Sequence, residues 1–76
     1  MRLSFDEPAV KGGEQPEQIL VGGYWREVER IVDYWRETGR WWEGESPRDF
    51  FLVETVPGAL IVSKGSNGWR VERLID

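Results

Sequence analysis

The chain contains neither cysteine nor histidine, and these two absences exclude several classes of chemistry. Without cysteine there are no disulfides, thiolate metal sites or cysteine nucleophiles. Without histidine the chain lacks the usual general base at neutral pH and the commonest zinc ligand. No catalytic signature is present elsewhere in the sequence. We therefore expect a protein that is not an enzyme and that uses no cofactor or metal.

Long apolar runs are also missing from the sequence. No stretch approaches the roughly 20 apolar residues of a membrane-spanning helix, and the first residues show no apolar signal-peptide run. Fourteen acidic residues against ten basic ones give a net charge of −4, which disfavours non-specific binding to a phosphate backbone. We expect a soluble, cytoplasmic protein without a membrane partner, for which nucleic acid is a less favoured ligand than protein.

Aromatic residues, in contrast, are plentiful: five tryptophans, three phenylalanines and two tyrosines in 76 residues. A domain of this size has a small core, and each buried aromatic side chain removes about 150–250 Å² from water. Aromatic packing must therefore supply much of the stability. The length predicts a single domain over residues 1–76, with 1–17 as an N-terminal arm or edge strand and loop and 18–76 as a β-meander core.

Short runs of β-forming residues separated by turn signals predict an all-β fold, a small antiparallel meander that forms a bent sheet or a partly open barrel. The expected strands cover residues 18–21, 24–37, 40–43, 48–56, 60–62 and 69–75. Gly22-Gly23 predicts a tight hairpin, because two-residue hairpin turns need positive φ. Pro57-Gly58 predicts a type II turn, and residues 64–68 predict a further hairpin.

Residues 24–37 are the ambiguous segment of this fold. Their apolar positions recur at helical spacing, so an α+β fold with an amphipathic helix at 24–37 is the alternative. However, β-branched and aromatic residues dominate the segment, it contains no alanine or leucine, and no good N-cap residue precedes Tyr24. We therefore favour a long, twisted strand.

Adjacent aromatic residues on a strand point to opposite faces of the sheet. The adjacent pairs are Tyr24-Trp25, Tyr34-Trp35, Trp41-Trp42 and Phe50-Phe51. Either both faces are covered, or one aromatic face is left open as a binding surface or dimer interface. We expect an aromatic and arginine face that serves protein–protein contact or self-association. Its candidate residues are Trp35, Trp41, Trp42, Arg48 and Asp49.

Other interpretations use the same residues. Arginines interleaved with aromatics fit single-stranded nucleic-acid binding, although they suit surface ion pairs equally well. Glu43, Glu45 and Asp49 lie close in sequence and suggest an acid/base pair or a hard-metal site, but a solvated loop explains them as well. A structural role is the simpler interpretation of Arg48, which would hold Glu43 or Glu45. Asp49 would then accept backbone N–H groups.

Several short motifs together resemble a known family. They are Trp41-Trp42-Glu43-Gly44, Pro47-Arg48-Asp49-Phe50-Phe51, Val53-Glu54-Thr55, Gly58, Gly68-Trp69-Arg70-Val71 and the terminal Asp76. This pattern resembles the DUF6504 family of small bacterial proteins over residues 8–76. It is also similar to the C-terminal tail of ImuB-type proteins, inactive relatives of Y-family DNA polymerases that act in mutagenic translesion synthesis. The resemblance implies a β-strand at 24–37 and an association with DNA repair, and it brings no catalytic residues.

Overall fold

The computed structural model describes residues 8–39, 41–44 and 46–75, and the side chain of Trp41 is not among the described groups. The strands are β1 (Ala9–Gly12), β2 (Pro16–Val21), β3 (Tyr24–Glu37), β4 (Arg48–Thr55), β5 (Ala59–Gly65) and β6 (Gly68–Ile75). They form one six-stranded antiparallel sheet in which every strand pairs with its neighbours along the chain. The sheet curls into a half-barrel, so the predicted all-β meander is confirmed.

The ambiguous segment is a strand, since β3 runs without interruption over 14 residues. Its first part, Tyr24 to Glu27, pairs with β2, and its second part, Val28 to Glu37, pairs with β4. Gly22 and Gly23 have φ values of 63° and 83° and form the predicted two-residue hairpin before it. The helical alternative is wrong because the β-forming residues find a partner strand along the whole segment.

Extra residues in the ladders make the sheet curl. Against β4, the register of β3 shifts between Val28 and Arg30 and again between Ile31 and Asp33, and such bulges bend a strand and increase its twist. The core lies on the inner side of the curl. Its buried apolar residues are Ile19, Phe51, Val53, Leu60 and Val62, against which Val10, Val21, Val28, Ile31, Trp69 and Val71 pack.

The β4 strand shows how the sequence assigns side chains to the two sides of the sheet. Phe51 and Val53 are buried, whereas Phe50 and Leu52 are only partly buried, as period-two alternation predicts. Directly paired residues of neighbouring strands lie on the same side, so the register extends this division to β3, β5 and β6. The side of Phe51 is here named the concave face and the side of Phe50 the convex face.

Side chains fasten the two ends of the meander to each other. The Trp69 indole N–H donates to the Gly12 carbonyl at 3.3 Å, and the Lys64 ammonium donates to the Gly13 carbonyl at 2.6 Å. Among the described residues, β1 and β6 share no ladder of backbone hydrogen bonds. The barrel is thus only partly closed.

The strand predicted at residues 40–43 is wrong for residues 41–43, because Trp41–Glu43 forms a short 3₁₀ helix, and residue 40 lies outside the described residues. Glu37 pairs directly with Arg48, so residues 38–47 form the connection between two hairpin strands. Within the described part of this connection no neighbouring strand is available for pairing. A run of β-forming residues without a partner strand gains little from an extended conformation.

The turn between β4 and β5 falls where the sequence places it. Its Val56–Pro57 peptide bond is cis, and Gly58 has a φ of 80°, the positive value that a type II turn requires at its third position. Thr55 holds this turn in place. Its backbone N–H donates to the Gly58 carbonyl at 2.8 Å, and its hydroxyl donates to the Pro57 carbonyl at 2.7 Å.

Candidate binding faces

A half-exposed aromatic stack lies at the centre of the convex face. Trp35 on β3 and Phe50 on β4 are directly paired, and their ring centroids lie 5.6 Å apart with an interplanar angle of 10°. Leu52 and its partner Ile61 extend this apolar surface towards β5, and both are also partly exposed. These four residues, Trp35, Phe50, Leu52 and Ile61, are named the convex patch.

Next to the convex patch, Arg48 lies across β5 and β6. Its guanidinium donates to the Ser63 hydroxyl at 3.0 Å and to the Gly68 carbonyl at 3.2 Å. The Ser63 hydroxyl donates to the Glu72 carboxylate at 2.5 Å, and Arg70 pairs with the same carboxylate at 2.7 Å. Ser63 is fully buried beneath these side chains. Arg48, Ser63, Arg70 and Glu72 are named the Arg48 network.

The guanidinium of Arg48 occupies the space that a side chain at position 65 would need. A β-carbon at Gly65 would lie 2.5 Å from Nη1 and 3.0 Å from Cζ of Arg48. Any larger residue would therefore displace the guanidinium from the surface of β5. The sequence marks Gly65 as a turn residue, and the structure adds that it makes room for Arg48.

Glu72 carries the negative charge of the Arg48 network. Burial disfavours its ionised form, but hydrogen bonds from Ser63 and Arg70 and the charges of Arg70 and Arg48 outweigh this effect, so the pKa of Glu72 lies below its ordinary value. The side chains of Arg48 and Glu72 are only 17% and 25% exposed. Salt and water therefore screen this cluster less than they screen a fully exposed ion pair.

Charges of opposite sign flank the apolar centre of the convex face, one sign on its β3 side and the other on its β6 side. One cross-strand row consists of Asp33, Leu52, Ile61 and Arg73, and the next consists of Trp35, Phe50, Ser63 and Arg70. The apolar centre thus has a carboxylate on its β3 side and guanidinium groups on its β6 side. At the end of the face, Arg30 pairs with Glu54 at 2.6 Å, and this hydrogen bond lowers the pKa of Glu54.

The concave face holds its own aromatic row. The rings of Tyr34 and Phe51 lie 5.1 Å apart, and those of Phe51 and Trp69 lie 5.6 Å apart. The Tyr34 hydroxyl donates to the Asp49 carboxylate at 2.9 Å, and Arg36 Nε lies 3.3 Å from the same carboxylate. The hydrogen bond to Asp49, together with desolvation and the Asp49 charge, raises the pKa of Tyr34.

A groove opens between this aromatic row and the β1–β2 loop. Its volume is about 720 Å³, which is within the usual range for ligand sites. It is lined by Glu14, Gln15, Ile31, Tyr34, Arg36, Pro47, Asp49, Phe51, Lys64, Gly65 and Ser66. A second hollow of about 610 Å³ shares Gln15 and Ile31 with it. Both hollows border β3 beyond Glu27, where its pairing with β2 ends.

The structure separates the five candidate binding residues of the sequence. Trp35 and Arg48 share the convex face, because their partners Phe50 and Glu37 belong to the same side of the sheet. Asp49 lies on the concave face. Trp42 is 65% exposed on the 3₁₀ helix. The side chain of Trp41 and the whole of Glu45 lie outside the described residues.

Sequence reasoning missed Ser63 and Glu72. A weak signal exists for Ser63, since a polar residue follows four apolar ones in β5, but nothing in the sequence identifies its partners. The described contacts of Arg48 are with β5 and β6, and those of Asp49 are with side chains on β3. These partners are distant in sequence, so the residues next to Arg48 and Asp49 along the chain give no sign of them.

The fold and its two faces define a small all-β domain with aromatic clusters on both sides of one curled sheet. Comparison of the chain with family models, curated proteins and solved structures found no match. The resemblance to the DUF6504 family therefore stays a prediction. Among residues 8–39, 41–44 and 46–75, no three acidic side chains are grouped as a metal site. The described part also holds no helix long and apolar enough to cross a membrane.

Proposed function

We propose that this chain is a non-enzymatic binding module whose convex face docks a partner protein. The observation that carries the proposal is the stack of Trp35 on Phe50, in which two large rings are held nearly parallel and half-exposed beside a hydrogen-bonded arginine. Aromatic and arginine side chains are enriched at the centres of protein interfaces and dominate their energetics.

The convex face is ordered before any partner arrives. Arg48 is fixed by its hydrogen bonds to Ser63 and Gly68, and the Trp35 indole N–H donates to the Glu37 carboxylate at 3.1 Å. Side chains that are already held in one rotamer lose less conformational entropy on binding. The convex patch and the Arg48 network thus form a preorganised platform.

The charge pattern supports a protein partner. Carboxylates of Asp33, Glu37 and Glu72 lie among the guanidinium groups of this face, so it presents both signs around an apolar centre. A polyanion would meet these carboxylates as well as the arginines. A protein surface with an apolar centre and charges of both signs at its rim matches this pattern better.

Affinity isolation from cells of the source organism tests the proposal. A tagged chain should recover a specific partner, and both Trp35→Ala and Phe50→Ala should lose it. Tyr24→Ala is the matched control, because Tyr24 is 77% exposed at the β2–β3 hairpin, away from the patch. Circular dichroism checks that each variant is folded. Recovery of the partner by both convex variants, its equal loss with Tyr24→Ala, or no specific partner would refute the proposal.

Single-stranded nucleic acid is the second candidate ligand of the convex face. It is supported by the position of Arg48 and Arg70 beside the aromatic stack and by the resemblance to the tail of ImuB-type repair proteins. Titration with single-stranded oligonucleotides should then quench tryptophan fluorescence, more strongly at low than at moderate salt. Absence of quenching at low salt would remove this candidate.

A further inference from the structure

We propose that a polar hollow between the β5–β6 turn and the segment that leads into β4 binds a phosphate group, either as inorganic phosphate or as a phosphate monoester. Arg48 and Arg70 of the Arg48 network both line this hollow. Binding of phosphate there requires no partner protein, so it is separate from the function proposed above.

Every described side chain that lines the hollow can donate a hydrogen bond. Its volume is about 600 Å³, and its lining residues, together named the polar hollow, are Gly44, Ser46, Arg48, Ser66, Asn67 and Arg70. They supply two guanidinium groups, two hydroxyls and one amide, and no acidic residue is among them. Hydrogen bonds from guanidinium groups to phosphate are stronger than those between neutral groups.

Segments that are distant in sequence bring these donors together. Gly65 pairs directly with Gly68, so Ser66 and Asn67 form the turn between β5 and β6. The Ser66 hydroxyl lies 3.5 Å from the hydroxyl of Ser46, which precedes β4. This separation is long for an O–H···O hydrogen bond, so each hydroxyl can turn towards a ligand at little cost.

The two guanidinium groups have further N–H donors available. Arg48 uses Nε for Ser63 and Nη2 for Gly68, and Arg70 uses Nε for Glu72. Within the described part of the chain, Nη1 of Arg48 and both Nη atoms of Arg70 make no hydrogen bond. The Arg48 side chain is only 17% exposed and already held in place, so it loses little conformational entropy when a ligand binds.

The charges around the polar hollow favour a single anion. Arg48 and Arg70 carry two positive charges against the one carboxylate of Glu72. Glu72 accepts from Ser63 and Arg70, and it is not among the residues that line the hollow. One phosphate group would therefore meet donors, whereas a polyanion laid across the convex face would also meet its carboxylates.

The directions of the donors favour a tetrahedral anion over a carboxylate. They come from β4, from β6, from the β5–β6 turn and from the segment before β4. A carboxylate has two oxygens in one plane, and one guanidinium can satisfy both. A phosphate monoester has three terminal oxygens that point in different directions, so it can accept from several of these segments at once.

Titration of the ¹⁵N-labelled full chain with inorganic phosphate, followed by NMR at constant pH and ionic strength, tests the proposal. The amide signals of Ser66, Asn67 and Gly68 should shift and reach saturation. O-phosphoserine is the second probe, and acetate, which should bind more weakly, is the third. Tighter binding of O-phosphoserine than of inorganic phosphate would assign a monoester as the ligand, and the reverse would assign the free ion.

Two variants test which residues hold the anion. Arg70→Gln should weaken phosphate binding by about tenfold, because it removes one of the two guanidinium groups. Arg73→Gln is the matched control, because it makes the same charge change on the same strand outside the hollow, and its effect should stay below about twofold. Asn67→Asp places a carboxylate in the hollow at a turn position that tolerates aspartate, and it should abolish saturable binding.

Three outcomes overturn the proposal: shifts that do not saturate, acetate binding as tight as phosphate binding, or equal losses in Arg70→Gln and Arg73→Gln. Circular dichroism checks that each variant is folded. Saturable phosphate binding by a chain that recovers no partner protein would support the polar hollow alone. Recovery of a partner that Phe50→Ala loses, without any phosphate binding, would refute the polar hollow alone.

Discussion

On the concave face Phe51 is 5% exposed and packs between Tyr34 and Trp69. One residue earlier in the chain, Phe50 stacks on Trp35 on the convex face and keeps part of its surface in contact with water. The two phenylalanines have the same side chain and the same strand, and only their parity along β4 differs. Position in the pleat therefore separates a stabilising ring from a ring that is available for binding.

The two faces also differ in how they treat polar groups. The concave face keeps its charged pair, Arg36 with Asp49, at the mouth of the groove, where the Arg36 side chain is 63% exposed. The convex face buries the Ser63 hydroxyl and covers it with Arg48. A polar group without water depends on its protein partners, so the convex network contributes more to the free energy of unfolding than the concave pair.

The largest expected effect separates the two phenylalanines. Phe51→Ala should lower the free energy of unfolding by about 3–4 kcal/mol, because it leaves a cavity in a small core. Phe50→Ala should cost about 1 kcal/mol, mainly for the lost stack. Urea unfolding followed by tryptophan fluorescence measures both. Equal losses at the two positions would show that the faces are not distinct in packing.

The next effect concerns the Arg48 network. Arg48→Ala should cost about 1–3 kcal/mol in urea unfolding, because it leaves the buried Ser63 hydroxyl without its donor. Arg48→Lys should not restore this loss, since an ammonium cannot reproduce the planar set of donors.

Gly65→Ala provides the control for Arg48. It should destabilise the wild-type chain through the clash with Nη1 but add nothing to Arg48→Ala. Independent, additive losses would mean that Gly65 does not act by accommodating the guanidinium.

A smaller effect depends on pH. The pKa of Glu72 is lowered in the folded chain, so its ionised form adds stability above its ordinary value of 4.5, and this stability is lost as the pH falls through the folded value. Unfolding measured from pH 6 to pH 3 should show a loss of stability below about pH 4.5 that is reduced in Glu72→Gln. An unchanged pH dependence in this variant would contradict the network.

The smallest effect is expected from the Arg30–Glu54 pair at the end of the convex face. Both side chains are largely exposed, at 65% and 47%, so solvent screens their attraction. A double-mutant cycle with Arg30→Gln and Glu54→Gln should give a coupling below that between Arg48 and Glu72. Raising the salt concentration should reduce the coupling further. A coupling that is stronger than that between Arg48 and Glu72 and independent of salt would contradict the expected screening of this exposed pair by solvent.

Much of the fold could be predicted from the sequence because it depends on local patterns. The alternation of apolar residues predicts which side chains of β4 are buried, and the glycine pair predicts the β2–β3 hairpin. The extra strand at 40–43 was wrong because pairing depends on a neighbour, and the direct pairing of Glu37 with Arg48 leaves that segment in a connection. Local propensity contains no information about whether a neighbour is present.

The candidate faces were less predictable than the fold. The division of Tyr34-Trp35 and Phe50-Phe51 between two sides follows from strand periodicity and is confirmed. The partners of Arg48 could not be predicted, since Ser63 and Glu72 come next to it only through the register of β4, β5 and β6.

The attachment of Trp69 and Lys64 to the carbonyls of Gly12 and Gly13 has a consequence for motion. Among the described residues this seam is held by two side-chain donors and by the packing of Ile19 and Val10 on the core, without a backbone ladder, so the first hairpin can separate from the last one while every ladder stays intact. Such an opening would uncover the inner aromatics without unfolding any strand. Amide protons of β1 should accordingly exchange with solvent well before those of β4.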